Sequence, residues 1–213
     1  MAYRQGTFSL IFFIGTIIVA MVQLPGILEV SGTSTMIDTG NSWVPTISQN
    51  FHSDTNRYIN KQIIPQHMKA SYQYLAMASY FDRSDVALPG FSKYCRLLSY
   101  KELENANFFM NYINKRGGEI TFRAIEAPDA VRWSNGLDVM FDILETEKSN
   151  NEKLRRLHDK ASKDPHMTHV IEDRFLDRSV KLIKEIGDHI ANLERMVATD
   201  TYSIGEFVFD KDL

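Results

Sequence analysis

Four stretches of the chain place their apolar side chains at alternating steps of three and four, the spacing that lines one face of an α-helix. His67, Ser71, Tyr74, Ala78 and Phe81 form the first stripe. Phe91, Cys95, Leu98, Glu102, Asn105, Phe109 and Tyr112 form the second. Trp133, Leu137, Met140, Leu144, Glu147 and Leu154 form the third, with Asn151 interrupting its last step. Phe175, Ser179, Leu182, Ile186, His189 and Leu193 form the fourth. Amphipathic helices of this kind bury their stripes against one another, so the pattern predicts an all-α four-helix bundle.

The breaks between stripes have chemical causes. Pro89-Gly90 separates the first two helices, and Gly117-Gly118 ends the second. Asp164-Pro165 starts the fourth, with an aspartate to cap it and a proline suited to its first turn. Loop lengths then choose the topology. Asp82 to Gly90 is short, which makes helices one and two antiparallel. The second helix, roughly 26 residues, is ~39 Å long. The next connection, Gly117 to Val131, has 15 residues. It reaches ~50 Å when extended, and its EITFRAI segment suits a strand-like run. That is enough to cross the whole bundle and start helix three parallel to helix two. A single long crossover in the middle of the chain follows.

Polar side chains interrupt the inward stripes: His67, Tyr74, Glu102, Asn105, Glu147 and Ser179. Buried carboxylates are costly unless they are paired or bind a cation. Glu102 and Glu147 fall on different helices and could meet at mid-height. They would then share a proton, pair with His67, or hold a metal. Glu104 lies about 200° around the helix from Glu102 and faces elsewhere.

Composition narrows the partners. The 213 residues suit one domain with a real core, and a net charge of −3 gives no reason to expect nucleic acid. The one cysteine, Cys95, excludes an internal disulfide framework and sits on an inward stripe, as a buried free thiol would. At the start of the chain Arg4 precedes an apolar run from Phe8 to Leu24 whose strongest part is shorter than the ~20 residues of a membrane span. This predicts a secretory signal over residues 1–24, with an uncleaved membrane anchor as the alternative. Residues 25–48 read as a loose tail, and 49–213 as the folded domain.

From Gln49 onward the chain resembles ferritin in a nearly continuous series of blocks. They include INKQI (59–63), ASYQYLAMASYFDRSDVAL (70–88), NKRGGEI (114–120), DPH (164–166), KEIGDHIANL (184–193) and EFVFDK (206–211). The resemblance implies a ferritin-like bundle with a short fifth helix near Thr199 to Phe209. It also implies a subunit of a hollow shell, usually of 24 chains, that takes in ferrous iron and stores it as a ferric mineral. Partners would be copies of itself or heavy-type ferritin chains.

Family roles transfer unevenly. Tyr74, Glu102 and Glu147 match the iron-oxidation centre of the catalytic heavy type. His67 stands where that type has a glutamate, Asn105 where it has a histidine, and Ser179 where it has a glutamine. A one-residue length difference around Pro65 also disturbs the first helix just before the site. A residual cation site of His67, Glu102 and Glu147 is the remaining possibility for iron oxidation. The three-fold channel positions are His158, His169 and Glu172, with His169 replacing an aspartate. Of the mineral-nucleating acids Glu104 remains, while Tyr100, Lys101 and Asn107 occupy places where acids are common. The chain is therefore similar to the secreted, non-heavy ferritin subunits of arthropods. It is expected to store iron while oxidising it weakly. A slow ferroxidase is the alternative, and a metal-free signalling bundle is disfavoured because those carry two long crossovers.

Overall fold

The computed structural model describes residue 47 and residues 50–128, 133–198 and 201–213, all within a unit running from Trp43 to Leu213. The leader, residues 1–24, and the tail, residues 25–48 except 47, lie outside the described residues. Among the described residues the fold is helical. The first rod is α1, Ser53–Tyr58, continued through a single π turn, Ile59–Ile63, into α2, Ile64–Phe81. The second rod is α3, Pro89–Lys115, and the third is α4, Gly136–Lys160. The fourth rod is α5, Pro165–Ile171, continued through a second π turn, Glu172–Leu176, into α6, Asp177–Val197. A short α7, Tyr202–Asp212, follows. No helix among the described residues is long and apolar enough to cross a membrane.

Each end is set by local chemistry. Pro89 and Gly90 open α3 rather than standing outside it, because proline's missing N–H costs nothing at the first helical position. The α3 C-terminus closes with Gly117 at φ 72°, and with Gly118 N–H reaching Ile113 O at 2.9 Å and Gly117 N–H reaching Asn114 O at 3.2 Å. That is the double bond pattern for which a left-handed glycine is selected. Asn135 caps α4 by accepting from Asp138 N–H at 2.9 Å, and Asp164 caps α5 by accepting from Met167 N–H at 3.1 Å.

The π turn Ile59–Ile63 stands where the length difference falls, just before Pro65. A π turn takes up one residue more than an α turn, and a proline two places later has no N–H to contribute. Register is recovered at once, since His67, Tyr74, Ala78 and Phe81 are all buried.

Among the described residues the crossover forms no strand. Its start is held by asparagines of the first rod. Asn60 donates from Nδ2 to Glu119 O at 2.9 Å and accepts from Thr121 N–H at 2.8 Å. The strand-like expectation for EITFRAI therefore fails on pairing, because these side chains satisfy backbone groups that a sheet neighbour would otherwise take. The fifth helix starts about three residues later than expected. It ties two helix starts together: Asp210 Oδ1 accepts from Phe91 N–H at 2.9 Å, and Glu206 Oε1 accepts from Gly136 N–H at 2.5 Å. Phe91 and Gly136 also touch, so α3 and α4 begin at the same end of the bundle and run parallel.

A Cβ added at Gly90 would stand 1.8 Å from Asp210 O. Gly90→Ala should therefore displace α7 and cost roughly 1–3 kcal/mol. Limited proteolysis should then cut within Tyr202–Asp212 in the variant sooner than in the parent.

The core is divided. One apolar cluster, including Phe81, Phe91, Met140 and Leu193, fills the α7 end. Another, including Ile63, Phe109, Leu157 and Phe175, fills the opposite end. Between them lies a polar layer.

Candidate metal centre

The polar layer brings together side chains from all four rods. His67 comes from α2, Glu102 and Asn105 from α3, Glu147 and Asn150 from α4, and Ser179 from α6, and every one of them is buried. They line a cavity of about 20 Å³ together with Phe175 and Arg178. That is room for one water molecule or one bare cation.

Glu102 is the hub. Its Oε2 lies 2.7 Å from His67 Nδ1 and accepts from Asn150 Nδ2 at 3.2 Å, while its Oε1 accepts from Asn105 Nδ2 at 3.0 Å. The His67 ring stacks on Phe109, with centroids 5.7 Å apart and planes 14° from parallel, which fixes its orientation. Glu147 Oε1 accepts from Tyr74 Oη at 2.6 Å. Burial, reinforced by the charge of Glu102, pushes the Glu147 carboxyl up to about 8, against the lowering effects of the Tyr74 hydroxyl and of Arg178. Burial and the two carboxylates likewise raise the Tyr74 phenol. Oδ1 of Asn150 is buried without a hydrogen-bond partner, so the cavity wall keeps one acceptor in reserve.

The sequence pattern places Glu102, Glu147, His67, Tyr74, Asn105 and Ser179 in one layer, and the structure does bring them together. Asn150 is missed because the third stripe passes through Leu144 and Asn151. The helix instead turns Ile143, Glu147, Asn150 and Leu154 inward and leaves Leu144 half-buried. Trp133 precedes the helix altogether. A signal was present: Glu147-x-x-Asn150 repeats the spacing of Glu102-x-x-Asn105, one turn apart on the same face. Among the described residues, no three His, Cys, Asp or Glu side chains are grouped so as to hold a metal ion.

The other predicted residues lie apart. His158 Nε2 sits 2.6 Å from Glu172 Oε1, joining the end of α4 to the second π turn. His169 is exposed on α5. Glu104 is exposed and faces Arg174 at 3.4 Å, a pairing that takes up part of its charge. Cys95 is fully buried, and burial pushes its thiol up to about 12, which leaves it unreactive.

A four-helix bundle with one long crossover and carboxylates meeting at mid-height is the architecture of the carboxylate-based iron proteins. Residues 56–196 match the ferritin family model, described as a ferritin-like domain. The chain is 42% identical over 167 residues to the ferritin light chain, oocyte isoform, of Xenopus laevis, covering 78% of this chain and 93% of that protein. The chain belongs to the ferritin family.

Proposed function

We propose that this chain stores iron as a non-heavy subunit of a multi-subunit ferritin shell, with the iron-oxidation centre of the heavy type dismantled. Family membership supports iron storage and assembly into shells in general. The observation that carries the finer reading is the state of Glu102. Three side-chain groups, from His67, Asn105 and Asn150, point at its two oxygens. Two of them are amide N–H donors, and donors in those positions occupy the lone pairs that a bridging carboxylate would offer to two metals. Asparagine at 105 cannot replace an imidazole as a strong iron ligand. In a mixed shell, heavy-type partner chains would supply the oxidation step. The leader at residues 1–24 supports delivery to the secretory pathway, with a membrane anchor as the alternative.

A second reading rests on the unpartnered Asn150 Oδ1 beside Glu102 and Glu147. Were the Asn150 amide to turn, one ferrous ion, as substrate, could meet His67, Glu102, Glu147 and the amide oxygen and be oxidised slowly by dioxygen. Aerobic oxidation of ferrous iron by the purified homopolymer separates the two readings. The proposal expects the parent to stay near the buffer rate and a His67→Glu/Asn105→His variant to exceed it at least tenfold. A parent rate well above buffer that is lost in Glu102→Gln would establish the slow ferroxidase instead.

A further inference from the structure

The outer face between the first rod and α4 concentrates positive charge, in a chain whose net charge is −3. Arg57, Lys61, Lys153, Arg156 and Lys160 line a groove of about 510 Å³. Lys61 and Lys153 continue into a second groove of about 480 Å³, which adds Lys69 and Arg123. From Arg57 to Lys69 the ribbon is ~18 Å long at the helical rise. Among the described residues Asp54 pairs with Arg57, Glu152 with Arg156, and Glu126 with Lys69. These are ion pairs of exposed side chains, which hold weakly and exchange readily. Among the described residues, Lys61 and Arg123 make no ion pair. Lys153 is half-buried, and its ammonium is lowered by that burial and by the charges of Lys69 and Arg156. The cations thus repel one another along a continuous strip.

We propose that this ribbon binds a linear sulfated polysaccharide, whose sulfate oxygens accept from the lysine and arginine head groups. Four of the seven cations are lysines, point charges that suit a string of anionic groups rather than the forked readout of bases. The grooves hold one aromatic residue, Tyr58, with Lys160 Nζ 5.4 Å from its ring centre over one face, so they lack the series of aromatic platforms on which successive bases stack. The first rod and α4 present the charges along two adjoining surface grooves, matched to an extended polymer. The inference is independent of the iron reading, because the ribbon lies on the outside of the bundle and the polar layer inside it.

The test is binding of the purified, assembled protein to immobilised heparin at ~0.15 M salt. Binding is expected, weakened at least tenfold in a Lys61→Ala/Arg123→Ala/Lys153→Ala variant. The slope of log affinity against log salt should fall by about 2 to 3 in that variant. A Lys181→Ala/Lys184→Ala variant, which removes two exposed cations of α6, should bind like the parent. Circular dichroism and elution volume check that both variants fold and assemble. The proposal is overturned if the parent does not bind at that salt. It is also overturned if both variants weaken equally, or if a single-stranded RNA homopolymer binds more tightly than heparin at equal salt.

Discussion

Arg116→Met should lower the unfolding free energy by about 3–5 kcal/mol at neutral pH, the usual result of leaving a buried charge without its partner. Arg116 and Asp164 are 7% and 8% exposed and meet at 2.7 Å. Arg116 also donates to Tyr112 Oη at 2.5 Å, and that hydroxyl is 2.9 Å from His166 Nδ1. Asp164 in turn caps α5. The pair therefore fastens the end of α3 to the start of α5, and methionine would keep the packing while stranding the carboxylate.

The effect depends on pH, and its sign follows from Asp164. Burial pushes that carboxyl up, but the hydrogen bonds from Arg116 and Met167 N–H and the nearby charges of Arg116 and His166 bring it below the ordinary value. A carboxyl lowered in the folded state contributes stability above the unfolded pKa and loses it as pH falls through the folded one. The gap between parent and variant should narrow below about pH 4. Urea midpoints at equal chain concentration would show both effects. A loss under about 1 kcal/mol at pH 7 would mean that water or another group has taken the guanidinium's place.

Glu147→Gln should abolish the loss of stability that the polar layer shows as pH rises. The Glu147 carboxyl is raised by burial and by Glu102, so the folded chain holds a proton there that the unfolded chain releases. The folded state then binds more protons between the ordinary carboxyl value and about 8, and stability falls as pH rises through that window. Glutamine keeps an oxygen to accept from Tyr74 Oη and carries no charge. The variant should match the parent near pH 5 and exceed it by a few kcal/mol near pH 8 in metal-free buffer. A variant that is weaker at both pH values would show that the carboxylate is needed in its charged form.

The sequence makes the bundle legible because the apolar stripes, the Pro and Gly breaks and the crossover length all report on the same packing. The three and four spacing identifies Glu102 and Asn105 as inward without any family knowledge. It fails at Asn150, because a stripe followed one residue off its true line still meets enough apolar side chains to look continuous. The hydrogen-bond state of Glu102 is not legible at all, since it depends on which way two asparagine amides turn once four helices close around them. The basic ribbon was hidden for another reason. Its cations are spread over residues 57–160 and separated by acids, so net charge conceals what folding gathers.

The docking of α7 bears on how the chain is made. Phe91 N–H is capped by a carboxylate synthesised 119 positions later. At ordinary translation speed, about 5–20 residues per second, the start of α3 waits roughly 6–24 s for its partner. During that interval the nascent bundle has an open end, with Phe91 and Gly136 exposed to any chaperone or premature contact. Only when α7 emerges is that end of the bundle closed.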